Sequence, residues 1–360
     1  MPHTSRFLRL FPPPHFVQMP AAGIDISDRS VHIAELVRHD GYFSLGRYGN
    51  EPVPEGYIVD GVVKNPEGVR SVLRGIARAY NLSFVRASLP EEKGYLVQME
   101  MPRVSTAEIR ESIHLQLEGY VPLDPATAIF DYEIPPCTPP EDVLRVNVSV
   151  MPRDTVVSYR EIFRDTGLMP LSFELEAQAL ARSVMQEGSC ETTMIVDIGA
   201  SRTGFSIVRD GSVRFTSTAN VGGDLLTDAI AKNFKLSTKD ARDKKEHEGL
   251  LIREGDRSMY MALAPIVSVL SDEINRRILY WNTTKSARTG TTRPVESVMV
   301  CGGEANVPGL REYVSFNINV PVHLANPWVN VCSFDDYVPK IPRNHALRYA
   351  TALGLALRRE

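Results

Sequence analysis

Two aspartates occupy corresponding places in two similar stretches of the chain. Asp25 lies in "GIDISDRSVHIAELVRHDG", residues 23–41, and Asp197 lies in "IVDIGASRTGFSIVRDG", residues 195–211. Each stretch is typical of a strand, a short loop and a second strand, with the aspartate near the end of the first strand. Because Mg²⁺ is usually held by one or two carboxylates together with phosphate oxygens and water, we expect Asp25 and Asp197 to be metal ligands. The alternative is that each aspartate only caps its own loop.

The loops that follow the two aspartates are predicted to bind phosphate. Successive backbone N–H groups in such loops can surround phosphate oxygens, and a glycine lets the ligand approach the main chain closely. The candidate residues in the first loop and its second strand are Ser27, Asp28, Arg29, Ser30 and His32, and those in the second loop are Gly199, Ala200, Ser201 and Arg202.

Two further glycine pairs extend the candidate nucleotide site. Gly222 and Gly223 stand in "NVGGDLLTDAIA", residues 220–231, and Gly302, Gly303 and Glu304 stand in "VESVMVCGGEANVPGLREYV", residues 295–314. A Gly-Gly turn after a buried strand leaves room for a flat base beside the main chain. Taken alone, such turns occur in many α/β proteins, and the first pair is equally typical of a plain helix entry.

The elements around the two aspartates also repeat. Predicted strands at 22–26, 30–38 and 42–49 are matched by strands at 194–198, 203–209 and 212–219, and each set has an Asp-Gly turn before its third strand. Similarity at a spacing of half the chain indicates a duplicated domain, and 360 residues suit two domains.

A different pattern separates the copies. Residues 84–166 contain "VRASLP", "YLVQMEMP", strands at 129–136 and 143–152, and a helix at 153–166. Ser105 and Glu108 predict a capping box that opens another helix. The buried face of that helix is predicted to carry Ile109, Ile113, Leu117 and Val121. We therefore expect a small inserted α+β subdomain. A helix is predicted near 66–80 before the insertion, and a strand running into a helix is predicted at 171–184 after it. Further helices are predicted near 222–235, 238–248, 257–285, 307–316 and 344–358.

Composition excludes several classes of protein. The net charge of −4 gives no basic field for nucleic acid, and the longest nearly apolar run, residues 259–270, is too short to span a bilayer. The four cysteines form no CxxC pair, which favours a reducing compartment over a zinc or disulfide framework. Residues 1–20 are predicted to be a disordered tail, and a weak membrane-surface contact is the alternative.

Taken in chain order, these segments resemble those of the actin-like ATPase superfamily. "GIDISDRSVHIAEL" is similar to its first phosphate segment, "IVDIGASRTGFSIV" to its second, "VCGGEANVPGL" to its adenosine segment and "ALRYATALGLALR" to its second connecting helix. Within the superfamily the chain most resembles the PilM family of type IV pilus assembly proteins, which is related to FtsA. The segments most similar to this family are "GYIVDGVVKN", "LQLEGYVPLD", "MPLSFELEAQALAR", "NVGGDLLTDAIA" and "PVHLANPW".

The resemblance implies an α/β fold of duplicated RNase H-like (actin-like ATPase) domains with a small inserted α+β subdomain. The expected division has four parts. The tail is 1–20; the first domain comprises 21–83, 167–192 and 341–360; the inserted subdomain is 84–166; and the second domain is 193–340.

The resemblance also implies ATP and Mg²⁺ in an interdomain cleft, with Lys245 reaching the base or ribose. The expected partners are the short N-terminal peptide of a PilN-like inner-membrane protein and other pilus assembly proteins. The expected place is the cytoplasm, peripheral to the inner membrane through that partner, with a role in twitching motility and at most slow ATP hydrolysis.

Three residues depart from the family pattern: Ser27 replaces a glycine, His32 a lysine and Arg242 a glutamate. No residue stands out as a base that activates water, and Glu174 and Glu176 are candidates by position only. The alternatives are therefore a degenerate scaffold that binds no nucleotide, a cytoplasmic component of type II secretion, and a small-molecule kinase of the same superfold.

Overall fold

A computed structural model describes most of the chain. The described residues are 21–39, 41–135, 143–252, 254–284 and 293–358. They divide into two compact units, the first running up to Glu176 and including Arg358, the second comprising Ala177–Leu357. The predicted tail at 1–20, Asp40 of the first Asp-Gly turn and most of a predicted surface loop at 286–294 lie outside the described residues.

The strands and helices are numbered here in chain order. The strands are β1 Ala22–Ile26, β2 Ser30–Arg38, β3 Phe43–Pro52, β4 Ile58–Val59, β5 Val62–Val63, β6 Phe84–Leu89, β7 Tyr95–Pro102, β8 Ala128–Glu133, β9 Val143–Pro152, β10 Met169–Leu175, β11 Thr193–Ile198, β12 Thr203–Arg209, β13 Ser212–Ala219, β14 Ser297–Cys301 and β15 Val322–Leu324. The α-helices are α1 Pro66–Ala79, α2 Thr106–Gln116, α3 Arg153–Glu161, α4 Glu176–Val184, α5 Gly223–Phe234, α6 Thr238–Glu248, α7 Ser258–Thr284, α8 Leu310–Asn317, α9 Arg343–Ala346 and α10 Ala350–Ala356.

The first unit is built on a five-stranded sheet in the order β10-β6-β1-β2-β3. β1 and β2 are antiparallel, as are β2 and β3, whereas β6 runs parallel to β1 and β10 runs parallel to β6. The central strands are apolar on both faces, as parallel strands covered on both sides require. Ile24, Ile33 and Val85 are fully buried and form part of the core.

The second unit repeats this arrangement. Its sheet has the order β13-β12-β11-β14-β15, with the same two antiparallel pairs followed by the same two parallel pairs. Ile195, Phe205 and Val298 are among the fully buried residues of its central strands. The duplication predicted from the two aspartate-containing hairpins is therefore confirmed, and both aspartates lie on the central strand of their sheets.

A separate three-stranded antiparallel sheet, in the order β7-β9-β8, forms with α2 the core of the inserted part. The predicted capping box is present, because the Ser105 N–H donates to Glu108 Oε2 (2.9 Å). Ile109, Ile113 and Leu117 are buried in this core, as predicted. Residues 84–90 are predicted to belong to the insertion, whereas in the structure β6 pairs with β1 and β10 and lies in the main sheet of the first unit.

The segments 177–192 and 341–357 belong together, as the predicted division also had them, but they lie in the second unit. α4 and α10 pack closely: Arg182 Nη1 donates to Gly354 O (2.8 Å), and Gly354 lies directly against the backbone of Ala179. The single helix predicted at 344–358 is divided into α9, a 3₁₀ turn at Leu347–Tyr349, and α10. The exact boundaries of the four predicted parts stay a prediction.

The structure also bears on membrane insertion. Across the described ranges, no helix combines the length and the apolar character needed to cross a bilayer.

Candidate functional site

The loop after Asp197 is closed by a tight turn. The Gly199 N–H donates to Arg202 O (2.9 Å), so the chain reverses within four residues before β12 begins. β11 and β12 then pair with Asp197 opposite Gly204. The turn therefore fixes the four predicted phosphate-binding residues, Gly199 to Arg202, at the end of the central strand.

The N-terminus of α5 packs against this turn. The Gly223 N–H donates to Gly199 O (3.0 Å) and the Asp224 N–H donates to Ala200 O (2.8 Å). A Cβ on Gly222 would lie 2.5 Å from Ala200 O, so only glycine fits there. The positive end of the α5 dipole is thus directed at the predicted phosphate loop.

The second glycine pair approaches Asp197 from the neighbouring strand. β14 runs parallel to β11 with Cys301 beside Asp197, and Gly302 follows with φ of +91°. A Cβ on Gly302 would overlap Asp197 Oδ1 and the carbonyl oxygen of Ile198. The backbone of Gly302 therefore forms one wall around the carboxylate, and a left-handed φ at this position requires glycine.

The residues that enclose Asp197 change the pKa of its carboxyl group. Burial raises the pKa of its carboxyl from 3.8 to about 6, and the positive charge of Arg202 opposes this increase. Part of the residue's surface remains accessible, but the atoms around the carboxylate withdraw it from water. At neutral pH the group is still mainly ionised, and a cation beside it would relieve the cost of that charge.

Lys245 and Glu304 form a buried ion pair next to the same glycines. Lys245 Nζ lies 2.6 Å from Glu304 Oε2 and donates to Gly223 O (3.2 Å), and only 3% of the lysine side chain is exposed. Glu304 in turn occupies the space that a side chain on Gly223 would need. Lys245 thus joins α6, the start of α5 and the Gly302–Gly303 turn, and its contact with the base or ribose of a nucleotide stays a prediction.

The first hairpin makes the same turn with different chemistry. The Ser27 N–H donates to Ser30 O (2.9 Å), as Gly199 does to Arg202. Ser27 Oγ also donates to Ser30 O (2.9 Å) and accepts from the Ser30 N–H (3.2 Å). The serine that replaces the expected glycine therefore closes its own turn.

Two residues of the first loop are engaged by a neighbouring segment. Asp28 accepts hydrogen bonds from the N–H groups of Asp60 and Gly61, both at 3.1 Å. Arg29 pairs with Glu55 (3.2 Å). These bonds connect the loop to the segment that carries β4 and β5, and the contact of both residues with a cofactor stays a prediction.

Asp25 faces His32 across the first hairpin. The two residues are register partners, His32 Nδ1 lies 4.0 Å from Asp25 Oδ2, and each side chain is 14% exposed. His32 therefore stands beside the predicted metal ligand of its own unit. The Ile26 N–H donates to Ser88 Oγ (2.9 Å) in β6, a contact that no local pattern in the sequence indicates.

The remaining candidates differ in their surroundings. Glu174 is buried and Arg358 Nη1 lies 3.6 Å from its Oε2, and Glu176 begins α4. A role of either glutamate in activating water stays a prediction by position. Within the described part of the chain, no three His, Cys, Asp or Glu side chains cluster as metal ligands. The donor set around Asp197 nevertheless fits Mg²⁺, which needs few protein ligands when phosphate and water supply the others.

Solved structures share this fold. A structure of the PilM–PilN type IV pilus biogenesis complex matches with a TM-score of 0.77 at 21% identity, over 94% of this chain and 98% of that one. MreB5 of Spiroplasma citri bound to ADP matches with a TM-score of 0.55 at 14% identity, over 94% and 95% of the two chains.

Curated sequences add a more distant relationship. The cell division protein FtsA of Streptococcus pneumoniae is 25% identical over 190 residues, which is 49% of this chain and 42% of FtsA. FtsA of Pseudomonas aeruginosa is 26% identical over 213 residues, which is 54% of this chain and 48% of FtsA. The chain thus spans about half the length of these relatives.

The match to one family is much longer. Residues 23–360 match the family described as type IV pilus assembly protein PilM, a span that contains both repeated sheets and the insertion between them. The resemblance predicted from the order of the motifs is therefore confirmed, and the chain belongs to the PilM family of type IV pilus assembly proteins.

Proposed function

We propose that this protein is a nucleotide-binding scaffold of the type IV pilus assembly machine, which binds ATP with Mg²⁺ and holds the N-terminal peptide of a PilN-like inner-membrane protein. One observation carries the nucleotide part. The Gly199–Arg202 turn, the N-terminus of α5 and the Gly302–Gly303 turn are packed around the enclosed carboxylate of Asp197.

Each group in this arrangement has a distinct task. Asp197 would hold Mg²⁺, and the N–H groups of the turn and the α5 dipole would stabilise the phosphate charge. Arg202 would supply a positive side chain beside the phosphates. The Lys245–Glu304 pair would position the glycines rather than contact the nucleotide. Asp25, Ser27, Ser30 and His32 stay candidate ligands of the first unit. The similar fold of MreB5, described as bound to ADP, is consistent with nucleotide binding.

The peptide part rests on family membership and on the inserted sheet. Within the described ranges, β7 and β8 each pair only with β9, so each has an open edge. An extended peptide can add to such an edge through backbone hydrogen bonds. Leu115 on α2 and Tyr95 on β7 are exposed apolar side chains of this subdomain that a peptide could cover.

A thermal-unfolding experiment tests nucleotide binding. At an ATP·Mg²⁺ concentration 100 times the Kd, binding stabilises the folded state by about 2.7 kcal/mol, which raises the Tm by roughly 4 °C. Asp197→Ala is expected to abolish this rise. Asp228→Ala, which removes an exposed carboxylate on α5, is the matched control and should keep it. An unchanged wild-type Tm at saturating ATP·Mg²⁺ would contradict the proposal.

One observation favours a second candidate, a scaffold that binds no nucleotide: Lys245, expected at the base or ribose, is buried and paired with Glu304 and the Gly223 carbonyl oxygen. Equilibrium dialysis with labelled ATP separates the two candidates, since only the first retains label.

A capture experiment tests the peptide. The cytoplasmic N-terminal peptide of the PilN-like protein is immobilised, and retention of the protein is measured with and without ATP·Mg²⁺. A scrambled peptide is the control, and equal retention on both peptides would refute this part. In cells, loss of the partner should release the protein from the inner-membrane fraction.

A further inference from the structure

Several elements of the first unit meet at the end of its sheet where β1 begins. Ala22 of β1 pairs with Val85, and Met169 of β10 pairs with Phe84, so both strands start beside the start of β6. β2 is antiparallel to β1 and therefore ends here, and α1 ends here because residues 80–83 connect its last turn to β6. We call this surface the entry end; its exposed side chains include Val37, Arg38, Arg78, Arg164 and Met169.

Positive charge is concentrated at the entry end. Arg38 and Arg78 are exposed, and neither forms an ion pair with another described residue. Arg160 and Arg164 share one carboxylate, that of Glu161, at 3.1 and 3.5 Å. The acidic residues set against these arginines are Glu161, Asp165 and, by sequence, Asp40. The local balance is thus positive, although the whole chain carries a net charge of −4.

Apolar side chains are exposed among these charges. Met169 is 60% exposed and Val37 is 45% exposed. In the turn between β2 and β3, Tyr42 stacks on His39 with ring centroids 4.9 Å apart. Exposed apolar and aromatic groups beside arginines suit a bilayer interface, where the apolar groups enter the headgroup region and the cations contact lipid phosphates.

The chain preceding the entry end has the same combination of residues. Residues 1–20 lie outside the described residues and join this end at Ala21. In their sequence, Arg6 and Arg9 stand among Phe7, Leu8, Leu10 and Phe11, and the segment contains no Asp or Glu. Its covalent attachment keeps these residues within reach of the surface that the entry end would meet. An acidic peptide would account for the arginines but not for the exposed apolar side chains.

We infer that the entry end binds the surface of an anionic phospholipid bilayer directly. Arg38 and Arg78 contact lipid phosphates, while Met169 and the phenylalanines of residues 1–20 enter the headgroup region. Because the chain as a whole is negatively charged, an anionic surface repels its other faces and orients this end toward the lipid. The contact requires neither the nucleotide nor the partner peptide of the proposed function, since Asp25 lies near the other end of β1.

Vesicle flotation of the full chain, without ATP and without the partner peptide, tests the inference. Wild type should float with phosphatidylcholine vesicles that contain phosphatidylglycerol, and not with phosphatidylcholine alone, and added salt should weaken the binding. Arg38→Ala/Arg78→Ala should weaken it by roughly 30-fold at low salt. Phe7→Ser/Phe11→Ser should weaken it by roughly tenfold, because less apolar surface enters the headgroup region.

A matched variant controls for net charge. Arg103→Ala/Arg257→Ala removes two exposed arginines away from the entry end and should bind the vesicles as wild type does. A thermal melt of each variant verifies that the fold is retained.

Four outcomes would overturn the inference: no flotation of wild type with the anionic vesicles, equal flotation with both kinds of vesicle, an equal loss in the control variant, and full binding by Arg38→Ala/Arg78→Ala. Retention on immobilised polyglutamate without vesicle binding would instead make an acidic protein the partner. Each result is independent of whether the protein binds ATP.

Discussion

The two strand–loop–strand hairpins share one backbone turn and differ in what surrounds it. In both, an N–H donates to the carbonyl oxygen three residues later at 2.9 Å. In the first hairpin, Ser27 reinforces the turn with its own hydroxyl, and Asp28 and Arg29 bond to residues 55–61. In the second, the turn is held by the start of α5 and by glycines that leave the main chain bare.

The difference shows how a duplicated element can serve two purposes. Side chains that bond to their own loop stabilise it but occupy the groups that a ligand would use. Glycines, by contrast, let neighbouring backbone segments pack closely around a carboxylate and leave main-chain polar groups uncovered by side chains. The strand next to each aspartate also differs. In the first unit β6 pairs with β1 up to Ala87, so the next residue, Ser88, lies beside Asp25. In the second unit Cys301 of β14 lies beside Asp197, and Gly302 follows it. The first unit thus has Leu89 where the second has Gly302. The second hairpin is therefore the better candidate for ligand binding.

The largest expected effect comes from breaking the buried Lys245–Glu304 ion pair beside the second hairpin. Lys245→Met leaves Glu304 without its partner and should destabilise the fold by about 3–5 kcal/mol. The double variant Lys245→Met/Glu304→Gln should lose less than the sum of the two single variants, because both charges are removed. Urea unfolding of the four proteins measures the coupling. Strict additivity would show that Lys245 and Glu304 do not stabilise each other.

The next effect concerns the glycine that lies against Asp197. Gly302→Ala forces a left-handed backbone on alanine and places its Cβ against Asp197 Oδ1 and the Ile198 carbonyl, so we expect a loss of about 3 kcal/mol. Gly303→Ala is the control, since its Cβ has only Arg348 Cβ within 4 Å. Chemical denaturation compares the two. Equal loss in both variants would mean that the close approach of Gly302 has no special consequence.

A smaller effect follows from the raised pKa of Asp197. Between about pH 4 and pH 6 the folded protein retains a proton that the unfolded chain has lost, so the free energy of unfolding falls as the pH rises through this window. Asp197→Asn removes the titration. It should match wild type near pH 4 and exceed it by roughly 2–3 kcal/mol at pH 8, while losing the stabilisation by ATP·Mg²⁺. Urea midpoints at several pH values measure this, and parallel curves for the two proteins would contradict it.

The same assay defines the role of the first hairpin. Asp25→Asn removes the charge that faces His32 and serves as the counterpart of Asp197→Asn. If Asp25→Asn also abolishes the stabilisation by ATP·Mg²⁺, the first hairpin supplies a ligand. If it leaves that stabilisation intact, nucleotide binding belongs to the second hairpin alone.

Much of this contrast could be predicted from local pattern. The duplication followed from two similar hairpins, and the start of α2 from Ser105 and Glu108, because turns and caps are determined by neighbouring residues. Contacts between distant segments could not be predicted in this way. Asp28 meets Asp60 and Gly61, which lie more than 30 residues away, and Lys245 meets Glu304. β6 was assigned to the insertion for the same reason, since a single apolar strand does not indicate which sheet it joins.

The smallest expected effect comes from exchanging the residues that begin the two turns. Ser27→Gly removes a hydroxyl that bonds Ser30 twice and should cost about 1 kcal/mol. Gly199→Ser places a Cβ 3.1 Å from Arg202 O, so the turn must shift by a few tenths of an ångström and should lose a similar amount. Urea unfolding of both single variants measures these changes.

The exchange tests whether serine and glycine are functionally equivalent at the first position of these turns. If the second turn needs a bare main chain for phosphate, Gly199→Ser should weaken ATP·Mg²⁺ binding by more than its small loss of stability, because the shifted carbonyl of Arg202 lies in the candidate loop. Ser27→Gly should leave binding unchanged if the first turn is structural. A Gly199→Ser protein that is more stable than wild type and binds ATP·Mg²⁺ as well would show that the hydroxyl can close either turn, and Ser27 would then no longer distinguish the first hairpin from the second.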